Sequence, residues 1–199
     1  MSLYYVYATG LVFYCLIHSL LADFKILKKL YYLWWYRLFY VISSSLLLIP
    51  LIFLYFKLPS QKFFYPSFPY VIALYLLSFL GVIVGYLAVK SYDNDTFLGL
   101  KQVRDYFKNN RRYFNENGNL ITDKGILGIV RHPYYLASLL ILWGRPLYLK
   151  DFITNVIFTL YFILGSINEE RKLLKIYGEE YIIYKKNVPM IIPFLKRKR

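Results

Sequence analysis

Five stretches without Lys, Arg, Asp or Glu set the terms on which this chain can fold. Leu3 to Ala22 holds one group that ionises near neutral pH, His18. Leu38 to Phe56, Phe63 to Val89, Tyr134 to Gly144 and Phe152 to Asn168 hold none. A membrane-spanning helix needs about 20 mostly apolar residues. The expectation is an all-α fold: a polytopic membrane helix bundle of about five transmembrane helices, with a cytoplasmic C-terminal amphipathic helix. The fourth span is short and irregular, bracketed by Arg131-His132 and by Arg145. Pro50 marks a kink in the second, and Pro66 and Pro69 mark the entry to the third. Residues 1–90 would form three N-terminal spans. Residues 91–199 would form a cytoplasmic loop, a helical hairpin and the C-terminal helix. The first run lacks a basic start and a small-residue cleavage site, so it reads as a retained span.

Composition agrees. The chain is 58% hydrophobic and 18% charged, against about 45–50% and 25% in soluble domains. That excludes a disordered chain, a collagen-like chain and an ordinary soluble globule. Cys15 is the single cysteine, which excludes a disulfide framework and a cysteine-based metal site. The net charge of +14 is placed unevenly: 21 of 25 Lys and Arg fall in the first loop, the third loop and the C-terminal tail. The positive-inside rule then puts the N-terminus outside and the C-terminus in the cytoplasm. The partner implied is a bilayer, not nucleic acid, because the basic residues sit beside the spans. Trp34-Trp35 and the many tyrosines read as interfacial anchors. Lys196 to Arg199 and the run from Arg104 to Arg112 read as headgroup-facing. Gly81 and Gly85 have helix-pairing spacing, but one such pair does not define an oligomer. Asn117-Gly118 marks a turn. Glu169 to Lys186 reads as one amphipathic surface helix carrying Leu173, Leu174, Tyr177, Tyr181 and Tyr184 on one face, ended by Asn187-Val188-Pro189.

One cluster has the residue types of a site. Arg131-His132-Pro133-Tyr134-Tyr135 opens the fourth span, and Glu169-Glu170 closes the fifth. Residue 150 lies midway between Arg131 and Glu169, so a turn at Lys150-Asp151 would bring the two groups level. Pro133 suits the first turn of a helix, whose N–H groups favour an anion. Arg131 offers a fork of donors, Glu169 or Glu170 can accept from an amine or hydroxyls, and tyrosine faces suit a purine or a cation. Such a set fits a zwitterionic ligand. An interfacial Arg131–Glu169 ion pair within an aromatic belt fits the residues equally well.

From Leu120 to Pro193 the chain resembles the integral membrane methyltransferases of the isoprenylcysteine carboxyl methyltransferase type. The residues that carry this are Leu120-Ile121-Thr122-Asp123-Lys124-Gly125, Val130-Arg131-His132-Pro133-Tyr134-Tyr135, Asn168-Glu169-Glu170-Arg171, Tyr177-Gly178-Glu179-Glu180-Tyr181, Tyr184, Val188-Pro189 and Ile192-Pro193. His18-Ser19-Leu20-Leu21-Ala22 and Gly99-Leu100-Lys101-Gln102 resemble the methanethiol S-methyltransferase and NnrU-like branch. The resemblance implies S-adenosylmethionine as cofactor, bound by Gln102, His132, Pro133, Tyr135, Glu169 and Glu170, with Tyr181 and Tyr184 closing the pocket. Ala137 stands where the pattern usually has glycine, and Leu127 where a tyrosine is common, which bears on pocket shape.

Methyl transfer from a sulfonium is an in-line displacement that needs alignment and exclusion of water. It needs no metal, and the chain offers no metal-ligand cluster. A thiol acceptor must lose its proton, whereas a carboxylate arrives ionised. His132 or His18 could be the base, or Arg131 could stabilise the thiolate. Arg131 is the preferred catalytic candidate, with His18 beside it. Prenylcysteine carboxylate, a small thiol and a lipid amine all remain compatible. The alternatives are a sterol-type membrane reductase, whose NADPH 2′-phosphate could use Lys172, Lys175, Lys185 and Lys186, and a non-enzymatic NnrU-like membrane protein.

Overall fold

A computed structural model describes residues 2–113 and 124–195. Its elements are α1 (Ser2–Ala22), α2 (Phe24–Leu27), a 3-10 turn (Lys28–Tyr32), α3 (Tyr36–Lys57), β1 (Lys62–Phe64), α4 (Tyr70–Ser91), α5 (Asn94–Leu98), α6 (Leu100–Asn109), a second 3-10 turn (Gly125–Gly128), α7 (Pro133–Trp143), β2 (Leu147–Tyr148), α8 (Leu149–Tyr177) and α9 (Glu179–Asn187). The Asn117-Gly118 turn, the segment Leu120-Ile121-Thr122-Asp123 and the tail Lys196–Arg199 lie outside the described residues.

Helices α1, α3, α4 and α8 are long and apolar enough to cross a membrane, and α7 is a shorter apolar helix. Only 11–17% of their most apolar windows is buried within the protein. Helices that are apolar all round and so little covered belong in lipid. The protein is an all-α integral membrane protein.

Contacts divide the chain into two compact units, residues 1–59 with 92–118 and residues 60–91 with 119–199. In the first unit α1 and α3 form an antiparallel hairpin. The Tyr4 hydroxyl donates to the Pro59 carbonyl at one end and the Tyr36 hydroxyl to the Leu21 carbonyl at the other. Gly10 lets the helices close: a Cβ there would lie 2.8 Å from Leu51 Cδ2. Asp93 caps α5 by accepting from the Thr96 N–H and hydroxyl. Gly99 joins α5 to α6 at φ +88°, and an added Cβ would lie 2.4 Å from the Leu38 backbone nitrogen. Only glycine satisfies both demands. Trp34 stacks on Tyr106 at 4.1 Å, and its backbone N–H donates to the Arg112 carbonyl. This expected interfacial anchor therefore also ties the 3-10 turn region to α6.

In the second unit α7 packs along α4. A Cβ at Gly81 would come within 2.9 Å of the Ala137 carbonyl, Leu140 and Ile141, and one at Gly85 within 3.5 Å of the Ala137 Cβ. Small residues let backbones approach where water provides no driving force. The Gly81–Gly85 pair is thus used inside the unit. Ala137 sits in this packing, 5% exposed.

The turn between α7 and α8 falls earlier than the expected Lys150-Asp151. Both of those residues lie in the first turn of α8. The chain reverses at Gly144 to Tyr148, where β2 pairs antiparallel with β1 and Leu149 donates to the Gln61 carbonyl. Asp151 closes the reversal by accepting from Tyr148 N and from Arg145. Asn155 donates to Leu142 O, one of the carbonyls left open at the end of α7. Trp143 donates to Thr159 across the hairpin. The expected single helix from Glu169 to Lys186 is two. Gly178, at φ +54°, separates α8 from α9, so Tyr177 and Tyr181 lie on different helices.

Candidate functional site

The hairpin of α7 and α8 brings the start of the fourth apolar helix beside the end of the fifth, as the spacing predicts. His132 is the N-cap of α7 with Pro133 as its first residue. Two backbone bonds hold this entry. Arg131 N donates to Pro189 O at 2.9 Å and His132 N to Met190 O at 3.0 Å. The Tyr184 hydroxyl donates to the Leu127 carbonyl at 2.7 Å. A main-chain strap following α9 therefore pins the Arg-His-Pro segment.

The ion pair differs from the expected one. Arg131 pairs with Glu170, not Glu169. Its Nε donates to Glu170 Oε1 at 2.7 Å and Nη2 donates to the same oxygen. Nη1 donates to the carbonyls of Lys185 and Val188. Lys185 Nζ lies 2.8 Å from the other oxygen of Glu170. Glu170 is 4% exposed, so one buried carboxylate balances an arginine and a lysine. A buried pair of this kind persists only when hydrogen bonds satisfy its remaining groups. Here main-chain carbonyls do that.

Glu169 faces outward, with its side chain 49% exposed, and reaches His132 Nδ1 at 3.5 Å. His132 Nε2 lies 3.4 Å from Glu170 Oε1, an ion contact without hydrogen-bond alignment. Burial lowers the His132 pKa, but the adjacent Glu169 and Glu170 carboxylates outweigh it, and the net is above the usual histidine value. The imidazole stacks on Tyr135 at 5.5 Å, and Tyr135 on Phe162 at 5.0 Å. Tyr181 is 1% exposed, with its ring 6.0 Å from that of Tyr184. Its hydroxyl is buried without a hydrogen-bond partner. Such a group is rare and calls for a ligand, a water or strain.

Of the residues singled out from the sequence, Arg131, His132, Pro133, Tyr135, Glu169, Glu170, Tyr181 and Tyr184 share the second unit and converge there. His18 and Gln102 belong to the first unit. His18 meets the Tyr40 hydroxyl, and Gln102 donates to the Thr96 carbonyl with its own carbonyl oxygen buried and unpartnered. Sequence reasoning missed Lys185 as the second cation on Glu170 and missed the carbonyls of Val188, Pro189 and Met190. Lys185 lies four residues after Tyr181 on α9, and that helical spacing was the available signal. Main-chain partners leave none. Among the described residues no His, Cys, Asp and Glu group could hold a metal ion.

Comparison with known proteins gives the same direction. Over 127 residues, 63% of this chain, it is 31% identical to the methanethiol S-methyltransferase of Crocosphaera subtropica, covering 47% of that protein. It is 39% identical to the methanethiol S-methyltransferase of Pseudomonas deceptionensis over 35% of this chain and 27% of that one. It is 33% identical to the protein-S-isoprenylcysteine O-methyltransferase of Schizosaccharomyces pombe over 41% of this chain and 36% of that one. The chain thus matches less than half the length of these curated relatives. No solved structure matches it significantly. Residues 75–180, more than half of the chain, match the phospholipid methyltransferase family. With Arg131, His132, Glu169 and Glu170 all inside the matched stretch, the chain belongs to the phospholipid methyltransferase family.

Proposed function

We propose that this chain is an S-adenosylmethionine-dependent membrane methyltransferase acting on a thiol or carboxylate. The observation that carries this reading is a half-exposed carboxylate, Glu169, against His132, together with a buried, unpartnered donor, the Tyr181 hydroxyl, in the same unit. That set fits a ligand carrying an amine or hydroxyls at one point and an anionic group at another. The chemistry that S-adenosylmethionine supplies when bound is a methyl carbon already activated by a sulfonium.

Each residue then has a task that follows from its surroundings. Glu169 accepts from an amine or ribose hydroxyls. The Tyr181 hydroxyl and His132 Nε2 donate to a carboxylate, which relieves two buried polar atoms. Tyr135 with His132 provides a flat face against which a ring can stack. Arg131 and Lys185 fix Glu170 and the strap after α9, so Arg131 acts by positioning, because four of its N–H groups are engaged within the protein. The Glu169 and Glu170 carboxylates outweigh burial and shift the His132 pKa upward, toward its doubly donating form. The reading favours an acceptor that arrives ionised, a carboxylate or a thiolate.

The lysine and arginine distribution supports a cytoplasmic C-terminus and a cofactor site on that face. The reductase alternative is weakened because Lys185, one of the lysines expected to meet a 2′-phosphate, is held by Glu170. The deciding experiment is calorimetric titration of the detergent-purified chain with S-adenosylhomocysteine and, separately, with NADPH. Saturable S-adenosylhomocysteine binding that Glu169→Ala and His132→Ala both weaken at least tenfold is the expected result. NADPH binding alone would replace the methyltransferase reading with the reductase one. Binding of neither by a folded sample would leave a membrane scaffold.

A further inference from the structure

A second cluster of arginine, histidine and tyrosine lies in the first unit and includes His18, which was singled out from the sequence. His18 on α1 meets Tyr40 on α3: the hydroxyl is 2.9 Å from Nε2 and 3.1 Å from Nδ1, and the rings are 5.0 Å apart. Tyr14, one helical turn before His18, stands 5.7 Å from the imidazole. Arg37, three residues before Tyr40, extends its guanidinium over the Tyr40 ring at 5.4 Å and the Phe97 ring at 4.9 Å. Its Nε donates to the Phe97 carbonyl at 2.7 Å. The close approach of Gly99 to Arg37 and Leu38 is what sets Phe97 there. Ser44, one turn after Tyr40, has a buried hydroxyl without a partner.

Among the described residues no carboxylate balances Arg37. Among the described residues of this unit the carboxylates are Asp23, Asp93, Asp95 and Asp105. Asp93 pairs with Lys101 and Asp95 with Arg104. Asp23 accepts from the Lys25 backbone. None pairs with Arg37. A guanidinium held by two rings and one carbonyl, with no hydrogen bond from its two terminal nitrogens among the described residues, is a preformed fork for an oxyanion. Ionisable groups at apolar helices mark ligand sites by default. Phe97, which covers one face of the guanidinium, is an exposed apolar residue, which is the setting of an acyl chain.

We propose that Arg37, with His18 and Tyr40, binds a phosphate oxyanion, that of a membrane phosphodiester lipid. The ring clamp orients the fork, the histidine and tyrosine supply further polar contacts, and the exposed Phe97 meets the lipid tails.

The test is native mass spectrometry of the full chain in detergent, titrated with phosphatidylglycerol, with inorganic phosphate as a competing arm. One saturable lipid site is expected, lost about tenfold or more in Arg37→Gln and partly kept in Arg37→Lys, with Lys101→Gln unchanged. Full displacement by inorganic phosphate at matched concentration would overturn the lipid as the source. Unchanged lipid binding in Arg37→Gln would overturn the site itself. Thermal melting of each variant separates lost binding from lost folding, and Arg37→Lys serves if Arg37→Gln does not fold. S-adenosylhomocysteine titration of the same variants shows that the result does not depend on the methyltransferase reading.

Discussion

Two arginines in this protein sit among the same kinds of neighbours and have opposite electrostatic situations. Arg131 shares Glu170 with Lys185 and gives its remaining donors to main-chain carbonyls. Arg37 has two aromatic faces and one carbonyl, and no carboxylate among the described residues. His132 lies between Glu169 and Glu170, while His18 meets the tyrosines Tyr14 and Tyr40. A buried cation whose counter-charge is built in is architecture. A cation whose counter-charge is missing is a socket. The distinction lies in the neighbours and not in the residue type.

Removing the built-in counter-charge has the largest effect. Glu170→Ala leaves Arg131 and Lys185 unbalanced, at a cost of about 3–5 kcal/mol for breaking a buried pair. A steep fall in melting temperature is expected in detergent. A change of only a few tenths of a kcal/mol would show that water already balances the site.

On the other side, Gly99→Ala must accommodate φ +88° and a Cβ 2.4 Å from Leu38 N. Strain of about 1–3 kcal/mol is expected. Phe97 would shift from Arg37, so phosphatidylglycerol binding should fall together with stability. Retained lipid binding at lowered stability would show that the clamp is not what orients Arg37.

The two carboxylates on His132 imply a pH signature. A raised folded pKa means the stabilisation is fully present below the unfolded histidine value, about 6.5. It is lost as pH rises through the higher folded value. The melting-temperature difference between wild type and His132→Gln should therefore shrink as pH rises above about 6.5. A difference that grows would reverse the assigned direction.

Tyr181→Phe is the mildest change. Deleting a buried hydroxyl without a partner should leave stability unchanged or raise it by up to about 1 kcal/mol. The same substitution should weaken S-adenosylhomocysteine binding. Lost stability together with unchanged binding would place the hydroxyl in a structural bond.

Much of this was legible beforehand. The apolar runs located α1, α3, α4, α7 and α8, because helix length in lipid follows from membrane thickness. The Arg-His-Pro and Glu-Glu spacing foresaw that the two groups meet, although the turn lies earlier than the midpoint and the arms are unequal. The break at Gly178 was visible only as a weakened helix, since one glycine costs about 1 kcal/mol and tertiary contacts decide whether a helix survives it. The displaced turn at Gly144 to Tyr148 depends on the pairing of β1 with β2, and so short a pairing leaves no periodic trace.

The sequence by itself determined the helices, their membrane character and the residue types at the site, because burial in lipid and helical period are local properties of a run. The tertiary structure decided which glutamate Arg131 meets and that Lys185 joins it. It decided that Gly81 and Gly85 serve α7, and that Arg37 meets no carboxylate among the described residues. Those are matters of angle around a helix and of main-chain carbonyls from distant segments. A fraction of a turn separates Glu169, facing outward, from Glu170, enclosed by cations, and only packing settles which one is which.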